Sequence, residues 1–186
     1  TRIDDLDTVL QGIDRAVECG FDRIRLNAVI LDGLNRDEVV PLTHYALKKG
    51  IHIAFIEEMP LGQVNVGGKP LAYVSSDMLQ KELGEHFSLV PMTALDTAGP
   101  ARDFLIAGSQ TQVGFISPHS HNFCAQCNRL RISAEGRLLM CLGNEESIDL
   151  RELLRAGSTD EEIKTIIIES LSIKPERHVF DQPEEP

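Results

Sequence analysis

Apolar residues recur at helical spacing at the start of the chain: Ile3, Leu6, Leu10, Ile13 and Val17, with Gly20 following as a stop. This predicts a helix over residues 2–19. The run Arg23-Ile24-Arg25-Leu26-Asn27-Ala28-Val29-Ile30 is rich in strand formers. A turn at Asp32-Gly33 leads to Asn35, an N-cap candidate with Glu38 three residues on, and to a helix ending at Gly50. Pro41 is expected to strain the first turns of that helix. Residues 51–56 form a second strand, ending at Glu57-Glu58-Met59-Pro60. Helix, strand, helix, strand with short connections predicts βαβ units and a parallel sheet, the mark of an α/β fold. Ligand-bearing groups in such sheets sit at the carboxyl ends of strands, where Glu57, Glu58 and Met59 fall. The plainer alternatives are a solvated rim pair for the two glutamates and core packing for Met59.

The pattern changes across residues 61–72, where Gly62, Gly67, Gly68 and Pro70 predict a linker. A short helix after Ser75 or Ser76 precedes strands at 86–92, 102–107 and 111–117, spaced closely enough for antiparallel hairpins. Two more strands, 129–133 and 137–142, turn at Glu135-Gly136. Ser147 or Asp149 caps a short helix to Gly157, and Thr159-Asp160-Glu161-Glu162 is a capping box opening a helix through Ile173. Residues 174–186 are expected to trail over the surface. No internal repeat or low-complexity tract interrupts the chain.

Charge narrows the function classes. Lys and Arg number 18 against 29 Asp and Glu, a formal charge of -11, which argues against a nucleic-acid surface but not against a locally basic pocket for one small anion. With 42% hydrophobic and 25% charged residues, the 186-residue chain has the composition of a globular protein. No apolar run reaches the ~20 residues of a membrane span and no secretory signal is present, so a cytoplasmic setting is expected. The chain starts at Thr1 rather than Met, which suggests a piece of a longer protein.

Cys19 stands alone in the first helical pattern and is expected to be a small core residue. The other cysteines form a Cys-x2-Cys-x13-Cys pattern: Cys124, Cys127 and Cys141. A two-residue gap lets both thiolates of one turn face a single centre, and a hairpin can return the third. Zinc would need a fourth ligand, His119 or His121. An iron–sulfur cubane held by three cysteines leaves one iron open to substrate. Spacing leaves both open, and a purely structural role as well. Arg129 and Arg131 alternate along the predicted strand beside the cysteines, with Arg137 after the turn. Such guanidinium groups suit phosphate or a polar ring edge, unless they only match nearby glutamates.

The run Phe123-Cys124-Ala125-Gln126-Cys127-Asn128-Arg129-Leu130-Arg131-Ile132-Ser133-Ala134-Glu135-Gly136-Arg137-Leu138, with Cys141-Leu142, resembles the carboxyl-terminal cluster motif of the GTP 3′,8-cyclase family. These are radical S-adenosylmethionine enzymes that open molybdenum cofactor biosynthesis. Phe55-Ile56-Glu57-Glu58-Met59-Pro60, Asn27-Ala28-Val29 and Gly33-Leu34-Asn35 extend the resemblance over nearly the whole chain.

The resemblance implies an incomplete (βα)6 barrel closed by a carboxyl-terminal extension. Residues 1–60 would be the last βα units and 61–186 an α+β cluster domain. It implies that Cys124, Cys127 and Cys141 hold a [4Fe-4S] cluster whose free iron binds guanine. Arg25, Arg129, Leu130 and Arg131 would contact GTP, and Met59 would lie beside S-adenosylmethionine. No residue of the chain receives a catalytic role. A second cluster, on a Cys-x3-Cys-x2-Cys loop, would use a reductant to cleave S-adenosylmethionine to a radical. The product, (8S)-3′,8-cyclo-7,8-dihydroguanosine 5′-triphosphate, would pass to cyclic pyranopterin monophosphate synthase. A homodimer is left open.

The chain departs from the family pattern in places. Residues 1–186 contain no Cys-x3-Cys-x2-Cys, so this polypeptide alone is expected to be inactive. It ends at Glu184-Glu185-Pro186 rather than in a Gly-Gly tail, and Ala54 stands where many relatives carry Arg. Arg25 keeps the charge where relatives often have Lys. The rival from another class is a non-catalytic Cys3His zinc module.

Overall fold

A computed structural model of the chain describes residues 5–59, 65–66, 69–70, 73–93, 99–143, 146–178 and 180. Ile3, most of the predicted 61–72 linker, including Gly62, Gly67 and Gly68, and the end of the tail lie outside the described residues. Two compact units emerge: Thr1–Glu58 with Val64–Ser120, and Met59–Gln63 with His121–Pro186.

The first unit follows the predicted rhythm. Helix α1 (Leu6–Glu18) ends at Cys19 and Gly20, the latter at φ +73, a left-handed conformation suited to glycine. Ile13 packs against the core, but Cys19 is exposed, against the expectation of a core residue. Six residues beyond Ile13, at 100° per residue, Cys19 points off the apolar stripe. Strand β1 (Arg25–Ile30) pairs in parallel with β2 (His52–Glu57), from Arg25↔His52 to Ile30↔Glu57. Between them a 3-10 turn, Arg36–Glu38, leads into α2 (Val39–Lys49). Pro41 falls in the first turn of α2, where no helical partner awaits its missing N–H. Asn35 does not cap the helix: its Oδ1 accepts the Leu31 N–H at 2.9 Å and its Nδ2 donates to the Val29 carbonyl at 2.9 Å, pinning the turn to the strand end.

A two-residue ribbon, β3 (Asn65–Val66) with β4 (Lys69–Pro70), precedes α3 (Ser76–Gly84). Ser75 caps α3 as predicted, accepting the Met78 N–H at 3.4 Å. Strands β5 (Leu89–Pro91), β6 (Ala101–Ile106) and β7 (Gln112–Ile116) form the expected antiparallel series. They do not form a separate sheet. β7 lies parallel beside β2, with Ile53↔Val113, giving the order β1-β2-β7-β6-β5. This is why the first unit runs on to Ser120: Val113 and Phe115 complete the core started by Ile53 and Phe55, with the Phe55 and Phe115 rings 6.3 Å apart.

The sheet is covered by helices on one face. Ile30, Ile53, Phe55, Phe104, Ile106, Val113 and Phe115 are buried there with Val39 and Ala46 of α2 and Leu79 and Leu83 of α3. Each large buried side chain contributes about 1.5–3 kcal/mol by leaving water. The alternating residues Arg25, Asn27 and Val29 point to the other face, where Val29 is 43% exposed.

In the second unit, β8 (Arg131–Ile132), β9 (Arg137–Leu139) and β10 (Ser147–Asp149) form an antiparallel sheet in the order β10-β9-β8. The turn predicted at Glu135-Gly136 is present, with Gly136 at φ +81. Ser147 belongs to β10, and Asp149 caps α4 (Leu150–Arg155) by accepting the Glu152 N–H at 2.9 Å. Thr159 and Glu162 make the predicted capping box of α5 (Asp160–Ser170), which tightens into a 3-10 turn at Leu171–Ile173. Leu138, Met140 and Leu150 are the core, with Leu130, Ile148, Leu153, Ile163 and Ile167 packed around them.

Candidate metal centre

The cysteine segment is built by local hydrogen bonds. Asn122 Oδ1 accepts the Cys124 N–H at 2.8 Å, and the Cys127 N–H reaches the Cys124 carbonyl at 3.0 Å. These fold Cys124–Gln126 into one 3-10 turn that ends at Cys127. The chain then runs through Arg129 and Leu130 into β8, and β9 brings back Met140 and Cys141. In the β8–β9 register Arg131 faces Leu139 and Ile132 faces Leu138, and from there the two arms run on to Cys127 and Cys141.

All three cysteines are free and half-buried. Burial opposes charge on Cys127, but the Arg129 backbone N–H, the Lys174 ammonium and the Arg129 guanidinium outweigh it and hold the thiol below its ordinary pKa. The thiolate is the metal-binding form, and donors aimed at sulfur are what iron–sulfur clusters use to tune their potential. The donor set therefore fits such a cluster. Among the described residues no three His, Cys, Asp or Glu side chains converge on the point that a single ion would occupy. His119, a candidate fourth ligand for zinc, has its Nε2 2.8 Å from the Glu58 carbonyl oxygen and its ring stacked on Tyr73 at 4.8 Å. His121 is exposed.

The arginines beside the cysteines differ in their surroundings. Arg129 lies over the Phe123 ring at 5.1 Å. The Leu130 side chain is half-buried and packs against the Leu138–Met140–Leu150 core. Arg131 is half-buried on β8. Arg137 donates from Nε to Ser147 Oγ at 2.9 Å and faces Asp149 at 3.8 Å, a structural placement.

Arg25 belongs to the first unit. Its NH2 meets Asp103 Oδ1 at 2.8 Å and Gln112 Oε1 at 3.3 Å, while Arg23 reaches Gln112 at 3.0 Å. Its Nε is buried and has no partner among the described residues. Nearby, His52 Nδ1 accepts the Gln112 N–H at 3.1 Å, and burial, then Arg23 and Arg25, hold its pKa below the ordinary value.

Glu57 is neither a rim residue nor a loose strand end. It is 1% exposed, and its carboxylate accepts the Ser76 N–H at 2.7 Å, the His119 and Ser120 N–H groups at 3.0 Å each, and the Ser120 hydroxyl. Burial alone would raise its pKa; the donors reverse that and keep it ionised. Glu58 and Met59 are half-buried.

Residues 51–180 match the family model described as Molybdenum Cofactor Synthesis C. The chain belongs to this family. It is 48% identical over 187 residues to a GTP 3′,8-cyclase of Saccharophagus degradans, covering 100% of this chain and 56% of that protein. It is 49% identical to a GTP 3′,8-cyclase of Ectopseudomonas mendocina, covering 97% and 54%. A GTP 3′,8-cyclase 2 of Pseudomonas aeruginosa is 45% identical, covering 100% and 56%. The chain thus spans about half the length of the curated relatives it matches.

Within this family member, Cys124 lies in the 3-10 turn, and Cys127, Arg129, Leu130, Arg131 and Cys141 lie on or beside the β8–β9 hairpin. Two features had no sequence signal. Asp103, the partner of Arg25, was one of many acidic residues. Lys174 fell at the start of a supposed trailing tail. That expectation is corrected: Lys174 is half-buried, and His178 is 7% exposed and stacked on Phe180 at 4.2 Å. Gly143 lets them settle, since a Cβ there would lie 2.6 Å from the Phe180 ring.

Proposed function

We propose that this chain is the part of a GTP 3′,8-cyclase that holds the substrate-side [4Fe-4S] cluster, through Cys124, Cys127 and Cys141. When bound, the cluster supplies an open, Lewis-acidic iron for a guanine nitrogen or oxygen. The residues around it orient the nucleotide: Arg129 and Arg131 flank Leu130 and present guanidinium groups to the ring and phosphates, and Arg25 adds a cation for the phosphates. Fixing the base and the phosphates holds the ribose and C8 of guanine in one geometry, which favours ring closure as an effectively unimolecular step. Met59 would lie beside S-adenosylmethionine. The radical-generating cluster, S-adenosylmethionine cleavage and the reductant belong to the whole enzyme, which would act in the cytoplasm and hand its product to cyclic pyranopterin monophosphate synthase.

The observation that carries this proposal is the hairpin itself: three free, half-buried thiols, with an N–H and two cations lowering the pKa of Cys127. The sheet with one helix-covered face supports the incomplete (βα)6 barrel, whose interior wall would be the face carrying Arg25. The test is anaerobic reconstitution with iron and sulfide. About four of each per chain, with an electron paramagnetic resonance signal that changes when GTP is added, is the expected result. One zinc per chain without sulfide would establish the Cys3His module instead.

A further inference from the structure

Lys174 closes a gap that the β8–β9 ladder leaves. The ladder runs only from Arg131↔Leu139 to Ile132↔Leu138, so the arms that lead outward to Cys127 and Cys141 lie beyond its last strand pair. There the Lys174 Nζ donates to the Arg129 carbonyl at 3.0 Å and to the Met140 carbonyl at 2.6 Å. Arg129 is two residues past Cys127, and Met140 immediately precedes Cys141.

We infer that Lys174 is a positioning residue for the cluster: one ammonium clamps the two cysteine-bearing arms at a fixed separation and sets a positive charge at the carbonyls next to them. This rests on the cluster reading of the hairpin.

The stem of the clamp is itself fixed. α5 packs Ile163 and Ile167 against the core that contains Leu138 and Met140. The 3-10 turn after α5 ends with the Lys174 N–H on the Leu171 carbonyl at 3.2 Å. Met140 is fully buried, so its carbonyl is anchored by its own side chain. An ammonium has three donors and no acceptor, and two of its donors are engaged by these carbonyls. Cluster ligands are commonly oriented by groups one step removed, and nearby charge shifts the potential of the cluster. In a chain of net charge -11, a cation at this point matters for both roles.

The test compares wild type with Lys174→Met and Lys174→Arg after reconstitution, reading iron loss to a chelator and the midpoint potential. Lys174→Met is expected to lose iron on the order of 10-fold faster and to shift to a more negative potential. Lys174→Arg, which keeps the charge and the donors, restores the retention. Should Lys174→Met fail to fold, Lys174→Gln carries the test, since it keeps N–H donors and loses the charge: its potential falls even if its iron is retained. A well-folded Lys174→Met or Lys174→Gln with wild-type iron loss and wild-type potential overturns the inference alone. A wild-type chain that takes up no iron and sulfide overturns the cluster reading, and this inference with it.

Discussion

Arg25 and Asp103, 78 residues apart in sequence, meet in a 2.8 Å hydrogen-bonded ion pair that reaches from β1 to β6 over the two strands between them. The neighbouring cross-strand row reads Asn27, Ala54, Gly114, Asp103. Its middle members are the small ones, and their size leaves room above the sheet for the pair. Ala54 is part of that clearance.

Gly114→Ala should break this arrangement. The new Cβ would sit 2.6 Å from Asp103 Oδ1 and 3.3 Å from the Ala101 Cβ, so the Asp103 carboxylate and its pairing with Arg25 must shift. A loss of about 1–3 kcal/mol in urea unfolding is expected. Adding Asp103→Ala should recover most of it. A Gly114→Ala chain as stable as wild type refutes the crowding.

If Arg25 serves the phosphates of GTP, as proposed, Asp103 competes with them for its charge. Asp103→Asn should cost little stability, about 1 kcal/mol or less for a partly exposed pair. It should strengthen GTP binding several-fold and steepen its salt dependence. Titrations of the reconstituted protein at two ionic strengths decide; unchanged affinity would remove Arg25 from the phosphate site.

Acid should act on the first unit in two stages with the same sign. His52 has a depressed pKa in the fold, so the unfolded chain binds more protons and stability falls as pH drops below about 6.5. Glu57 is also depressed, so its contribution is complete above the unfolded carboxylate value and is lost as pH falls through its lower folded value. Glu57→Gln should remove the second stage and destabilise the chain by roughly 2–3 kcal/mol at neutral pH, because an amide nitrogen then faces N–H donors. Melting curves from pH 7 to pH 3 check both, and a Glu57→Gln profile parallel to wild type contradicts the assignment.

Cys127→Ser should abolish most iron and sulfide uptake, whereas Cys19→Ser, at an exposed helix end, should leave it intact. Iron and sulfide analysis after identical anaerobic treatment separates them. Equal loading in the two variants would dissociate the cluster from the hairpin.

Periodicity in the sequence foretold the helices and the capping box at Thr159, because each rests on residues within a few positions of one another, and the parallel β1–β2 pair, because helix and strand alternate there with short connections. The Cys-x2-Cys turn and the hairpin that returns Cys141 were legible for the same reason. The pairing of β7 with β2 was not: composition shifts at the glycines near residue 62, and nothing local says that a strand 50 residues later joins the earlier sheet. Glu57 looked like half of a surface pair because its donors, at Ser76, His119 and Ser120, are remote in sequence. Asp103 and Lys174 were hidden likewise, since an ion pair or an ammonium clamp leaves no periodic trace.

The place of β7 also sets an order of assembly. His52 and its partner Gln112 are 60 residues apart, so during synthesis β2 stands with a bare edge until the 101–116 hairpin has emerged. Nascent chains paused before residue 112 should be the aggregation-prone species, and those released after 116 can cover that edge through a slow, long-range parallel pairing.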